Sequence, residues 1–260
     1  MYMSESIIKK GYANNLVQEV SNESIAASPV ILERLEKFAR TSQVLAPKSN
    51  DFLYFTIIFL RAAEASLIDD KGNLRKVGSE RAWGYFDKDF KWHGNVKPHK
   101  NNNGDIFPEI ELKTATRDWI GMPLCVDHKS ESVDGIRGII LDTYYDEKHK
   151  QVVGLCALDK INYPNLARKV QTGVVRYGSM GTAVTTSICS DCGNRASTPT
   201  QYCRCVTARS AYGEINIGLK PIEYSLVVQP AEPGARLLQC LASIGQHKKE
   251  LINNGVRDYD

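Results

Sequence analysis

The pattern of apolar and polar positions changes character along the chain. Residues 1–27 are polar and irregular and read as an arm. Ser28-Pro29 then has the form of an N-cap followed by a first helical residue. Ile31, Leu35 and Phe38 follow at helical spacing, which predicts a short amphipathic helix ending near Thr41. Phe52 to Ala63 is rich in β-branched and aromatic residues and predicts a buried strand. Residues 69–105 carry charge, glycine and the run HKNNNGD, and predict a long irregular excursion of the kind that often serves function.

From Pro123 onward the predicted elements are mostly strands. Leu124 to Asp127 is short and apolar. Ile136 to Tyr145 and Gln151 to Leu158 flank the polar turn DEKHK and predict a β-hairpin. Pro164 to Thr172 predicts a short helix with Leu166, Ala167 and Val170 inward and Gly173 ending it. Val174 to Ile188 and Ile222 to Val228 predict two more strands. A terminal helix is expected from about Pro233, on the spacing of Leu237, Leu241 and Ile244. Five or more strands with few helices point to a mainly β fold with peripheral helices (α+β), an antiparallel sheet or barrel.

Composition narrows the class. The 260 residues suffice for one good core with appendages or for two small domains. A net charge of +3 is too small to imply a polyanion partner. The longest apolar run, Phe52 to Leu60, stops at Arg61, and nine residues cannot span a bilayer as a helix. The start, MYMSESIIKKGYANN, lacks the apolar stretch of a signal peptide, so a cytoplasmic protein is expected. In that compartment the seven cysteines are thiols or metal ligands rather than disulfides.

Four of those cysteines fall within 17 residues. Cys189 and Cys192 form Cys-x-x-Cys followed by Gly193; ten residues later come Cys203 and Cys205 as Cys-x-Cys. Two close pairs joined by a short loop suit tetrahedral zinc, and four protein ligands leave no open position, so the expected role is structural. The loop GNRASTPTQY has one arginine and one aromatic, too thin a surface for nucleic acid. Cys125, Cys156 and Cys240 are expected to be buried small apolar residues.

The stretch VRYGSMGTAV raises a second chemistry. Ser179 is flanked by Gly178 and Gly181, and a serine nucleophile needs a base, usually histidine. Of five histidines, His149 lies in a charged hairpin turn, His247 in the polar QHKKE, and His93 and His99 in the irregular excursion. His128 alone closes an apolar strand, in GMPLCVDHKS, and by elimination is the best partner for Ser179. The nucleophile-elbow motif does not fit, because Gly178 is one residue too close and the histidine precedes the serine. A plain turn or bulge is the competing reading of Gly-Ser-x-Gly.

Three stretches together resemble the prohead (head maturation) serine proteases of tailed bacteriophages, relatives of the herpesvirus assemblins. They are NNNGDIFPEIEL leading into GMPLCVDHKSESVDGIRGIILD, then VRYGSMGTAV, then IEYSLVVQPAEPGARL, over roughly residues 50–240. The resemblance implies an assemblin-like β-barrel with His128 as general base and Ser179 as nucleophile. It also implies a third member on a later strand. Glu223 is the first choice, with Glu214 and Asp127 as alternatives. The implied task is cleavage of phage scaffold and major capsid proteins, and of the protease itself, inside the prohead assembling in the host cytoplasm, with no membrane or nucleic-acid partner. The implied layout is an arm and helix at 1–50, a protease-like domain at 51–245 with a zinc-binding insertion at 187–207, and a tail at 246–260. The alternative is a zinc-stabilised capsid-associated or scaffold-binding protein of the same fold without activity.

Overall fold

The computed structural model describes residues 7–10 and 51–241. The helix expected from Pro29 to near Thr41, together with Ile244 and His247, lies outside the described residues. The described strands are β1 (Ile7–Lys10), β2 (Phe52–Arg61), β3 (Lys76–Val77), β4 (Glu80–Arg81), β5 (Gly84–Phe86), β6 (Trp92–Gly94), β7 (Asp105–Ile106), β8 (Pro123–Val126), β9 (Gly138–Asp146), β10 (Gln151–Asp159), β11 (Tyr177–Cys189), β12 (Arg195–Ala196), β13 (Glu214–Val227) and β14 (Leu237–Leu241). Three α-helices accompany them: α1 (Glu109–Ala115), α2 (Pro164–Gln171) and α3 (Arg204–Thr207). Among the described residues no helix is long and apolar enough to cross a membrane.

The fold is mainly β, as the strand-rich pattern predicts. One sheet runs in the order β1-β11-β13-β8-β9-β10-β2-β14, with β12 against β11 and β7 against β13. The expected barrel is corrected here. The path is open, and among the described residues no ladder joins β1 to β14. The excursion at 69–105 holds two small hairpins, β3–β4 and β5–β6, before β7 rejoins the main sheet.

Buried strands read as continuous apolar runs, and β2 is the clearest: Leu53 through Leu60 are all buried. β9 and β10 form the predicted hairpin. In α2, Ala167 and Val170 face inward, and Gly173, at φ +71°, ends the turn in a conformation glycine adopts without strain. The core is centred on Phe59, stacked on Tyr224 at 3.9 Å between ring centroids and edge-on to Trp119 at 6.0 Å. Gly154 makes room for the Phe59 ring and Gly178 for the Tyr224 ring. Fully burying such an aromatic ring stabilises the fold by about 1.5–3 kcal/mol.

Two elements differ from the sequence pattern. The terminal helix expected from Pro233 is instead strand β14, whose Gln239, Cys240 and Leu241 pair with Thr56, Phe55 and Tyr54 of β2. Leu237 and Leu241 are four apart, a spacing that fits one face of a strand as well as one face of a helix. The open edge of β2 decides in favour of the strand. β13 is also longer than Ile222 to Val228, because it begins at Glu214 and passes through Gly218 and Pro221, which read as breakers. Gly218 takes φ +65°, and Pro221 lies beside a β-bulge. Gly181 faces Glu223 while Thr182 faces Pro221, so Ile222 is the extra residue. Bulges re-aim side chains, and this one precedes Glu223.

Candidate active site and cysteine cluster

β11, β13 and β8 lie side by side and meet at one end. Ser179 of β11 is directly opposite Ser225 of β13, and Gly181 is opposite Glu223. Directly opposed residues share a face of the sheet, as do residues two apart in a strand. Ser179, Gly181, Glu223 and Ser225 therefore occupy one face, and Tyr224 turns to the other, into the core. β8 runs parallel to β13 on its far side, pairing Cys125 with Ser225 and Val126 with Leu226.

β8 ends in a sharp reversal. Asp127 (φ 52°) and His128 (φ 57°) are consecutive left-handed residues without being glycine. Such conformations cost of the order of 1–3 kcal/mol each and persist where the surroundings impose them. Here His128 N–H donates to the Ser225 hydroxyl at 3.0 Å, and Asp127 N–H to the Leu226 carbonyl at 3.1 Å. The reversal turns the imidazole back over β13, where Nδ1–H donates to Glu223 Oε1 at 2.6 Å. A carboxylate can only accept, so the shared proton belongs to Nδ1, and in the neutral ring Nε2 is the basic nitrogen.

The Ser225 hydroxyl closes this arrangement. It donates to Glu223 Oε2 at 2.6 Å while accepting from the His128 backbone. One hydroxyl thus ties the base's main chain to the carboxylate that holds its ring. His128, Glu223, Ser225 and Ser179 are exposed by only 3, 1, 0 and 4%. In such surroundings hydrogen bonds between polar groups are strengthened and losing a partner is costly. Gly181 has a matching role, since a Cβ there would fall 2.3 Å from Glu223 Oε1. The absence of a side chain lets the carboxylate lean toward the strand that carries Ser179.

The structure thus brings together His128 and Glu223, with Ser179 on the same face of the neighbouring strand. The two alternatives for the third member lie elsewhere. Glu214 is at the opposite end of β13, facing Cys189 and accepting from Ser187 Oγ at 2.7 Å. Asp127 is exposed. Ser225 was missed by sequence reasoning. Its signal was its position two residues beyond Glu223 in an otherwise apolar strand.

The other described histidines pair with carboxylates of their own. His93 contacts Asp87 at 2.8 Å, His149 contacts Asp146 at 2.7 Å, and His99 contacts Glu232 at 2.7 Å. Burial pushes the Glu232 carboxyl up, but the neighbouring His99 and the Gly234 N–H outweigh it and hold the group below its ordinary value. A cavity of about 20 Å³, enough for one water, opens beside Ser179 and Met180 against Asn101, Asn103, Asp105 and Glu232. The HKNNNGD run therefore folds back onto the Ser179 end.

Ten residues further along β11 lies the cysteine cluster. The sulfurs of Cys189, Cys192, Cys203 and Cys205 all lie within 4.8 Å of one another. A tetrahedral cage with Zn–S of about 2.3 Å places its sulfurs about 3.8 Å apart, so the four thiols fit one metal ion of that kind. Gly193, at φ +75°, allows the first turn, closed by Gly193 N–H donating to the Cys189 carbonyl at 2.9 Å. Backbone N–H groups of Cys192 and Asp191 point at the Cys189 sulfur. Val206 N–H points at Cys203 and, with the thiols of Cys192 and Cys189 and the Cys205 N–H, holds its thiol down to about 7. Backbone donors aimed at sulfur favour the thiolate form that binds metal, though at Cys189 burial outweighs them and holds the thiol above its ordinary value. Cys125 and Cys240 differ, with burial pushing each thiol up to about 11; Cys125 is fully buried as expected, whereas Cys240 is only half-buried. Burial pushes Cys156 up as well.

No protein-family model matches the chain, and no curated protein or solved structure matches it.

Proposed function

We propose that the protein is a serine endopeptidase of the prohead-protease kind, with Ser179 as nucleophile, His128 as base and Glu223 as the residue that positions His128. The observation that carries this reading is the buried 2.6 Å bond between His128 Nδ1 and Glu223, on the face of the sheet that Ser179 shares. Buried histidine–carboxylate pairs also occur as structural ties. The local investment here points to chemistry instead: two consecutive left-handed residues, a bulge, a glycine that clears the carboxylate and a bridging serine all serve one imidazole.

In the reaction, Ser179 Oγ attacks the scissile carbonyl carbon while its proton passes to His128 Nε2. The tetrahedral intermediate collapses with cleavage of the C–N bond, and His128 returns that proton to the departing amine. Water then adds to the acyl-serine ester by the same route, releasing the new carboxylic acid and regenerating Ser179. Glu223 stays ionised throughout and stabilises the imidazolium that forms at each attack.

The substrates proposed are the scaffold and capsid proteins of an assembling phage head, on the strength of the sequence resemblance. The four cysteines are proposed to hold one structural zinc ion, which would order the loop between β11 and β13. Incubation with a fluorophosphonate probe and with the cognate scaffold protein tests the reading. The wild type is expected to gain one phosphonyl adduct on Ser179 and to cleave scaffold, while Ser179→Ala and His128→Ala do neither. Equal labelling or cleavage by wild type and Ser179→Ala would overturn it.

A further inference from the structure

Among the described residues, the edge of β11 facing away from β13 has three short occupants. Ala235 to Leu237 cover its start: Gly178 N–H donates to the Ala235 carbonyl at 3.1 Å, and Leu237 N–H to the Arg176 carbonyl at 2.7 Å. β12 covers Ser187 and Ile188 near its end. Between them lies β1, which pairs antiparallel as Ile7–Val184, Ile8–Ala183, Lys9–Thr182 and Lys10–Gly181. β1 is separated in sequence from the rest of the described chain and joins the sheet through this one ladder. It runs toward Ser179 and ends opposite Gly181, two residues short of it.

We propose that the outer edge of β11 from Gly181 to Val184 is the peptide-docking edge of the Ser179 site, and that Ile7–Lys10 of the same chain occupies it in place of substrate. This rests on the peptidase reading above. Strand addition supplies main-chain hydrogen bonds regardless of side chains, so one edge can accept both an internal strand and an extended substrate. The register also sets polarity. A peptide bound as β1 is bound approaches Ser179 with its C-terminal end. In this register the residue two beyond the one facing Gly181 falls opposite Ser179. Ala235 to Leu237 then block further pairing, so the peptide leaves the sheet there. The docked residues are therefore those on the N-terminal side of the cleaved bond. An internal occupant competes with added peptide, so it weakens apparent affinity without altering the chemical step.

The test uses the full chain carrying Ser179→Ala, so that binding is read without turnover, and a fluorescein-labelled peptide SESIIKKG read by anisotropy. A second protein adds Ile8→Pro and Lys9→Pro. Successive N–H groups point to opposite sides of a strand, so one of the two prolines removes a donor facing β11. For a strand docked nine-tenths of the time, the proline protein is expected to bind the peptide about tenfold more tightly. Exchange of the outward-facing Thr182 and Val184 amides should quicken in it and slow again with peptide. The pair Ile7→Pro and Ile8→Pro repeats the test should the first misfold. Equal affinity and equal exchange in both proteins would overturn the proposal. Tighter binding by the proline protein, with a wild type that never cleaves, sinks the peptidase reading and leaves the docking edge standing.

Discussion

The β11–β13 pair has two ends of opposite construction. At one end Ser179, Gly181, Glu223 and Ser225 face each other, and His128 arrives from β8. Every polar group there is buried, and the bond that matters joins residues 95 positions apart in the chain. At the other end four cysteines come from one stretch, half of them on a glycine turn, and only Cys189 is buried. The first end depends on the whole sheet to hold its groups in place. The second is more lightly packed, with Cys192 exposed and Cys203 and Cys205 half-buried, and on the reading proposed above a metal would order it. On the proposed reading, preorganised chemistry sits where packing is dense, and a metal would substitute for packing where it is sparse.

The largest expected effect tests the dense end. Ser179→Ala and His128→Ala should each lower turnover by about 10³-fold or more, and the double variant should be no worse than either, because the pair acts as one unit. Additive losses would show two independent residues. Next, Glu223→Gln should cost about 10²–10⁴-fold with folding nearly intact, since an amide cannot fix the same tautomer. It should also change the shape of the pH–rate profile. Gly181→Ala should act similarly, because its Cβ would lie 2.3 Å from the carboxylate oxygen. A fully active Gly181→Ala would remove that glycine from the site.

The sparse end should respond to chelation. Purified protein is expected to hold about one zinc per chain. Its removal should raise amide exchange across residues 189–212 by about tenfold or more, if order there comes from the metal. Turnover should fall less, since Ser179 lies up to roughly 33 Å along the strand at about 3.3 Å per residue. Chelation that abolishes activity while leaving exchange unchanged would reverse this division of roles.

A smaller change concerns Ser225→Ala, which strips a partner from the buried His128 N–H and from Glu223. It should cost about 1–3 kcal/mol of stability and weaken the low-field Nδ1 proton signal of His128. Unchanged stability and signal would make the serine a bystander. The smallest effect falls on Glu232, which joins the excursion to the Ser179 end through His99. Its carboxyl lies below the ordinary value in the folded chain. Its contribution to stability is therefore present above the unfolded-state value of about 4.3 and lost as pH falls through the lower folded value. Glu232→Gln should erase that part of the acid-side decline in denaturation curves. Parallel wild-type and variant curves down to low pH would show that it contributes nothing.

How much was legible follows the same division. Cysteine spacing is local and carries its chemistry in one stretch, so the cluster could be read directly. The buried strands β2, β9 and β10 were legible because continuous apolar runs bounded by polar turns have few other uses. His128 was reached by elimination, and Glu223 through a family resemblance, with Glu214 and Asp127 left open. Nothing in the spacing could separate them, because distance along a chain says nothing about which strand lies beside which.

By itself the sequence determined what depends on neighbours in the chain: strand runs, the hairpin at 138–159, the helix ended by Gly173, and the two cysteine pairs. Only the tertiary structure decided what depends on pairing between distant strands. Leu237 to Leu241 became a strand because β2 offered an open edge, and Glu223 became His128's partner because a bulge at Ile222 turned it to the shared face. Hydrogen bonds across a sheet are set by register, and register belongs to the assembled sheet rather than to any one strand.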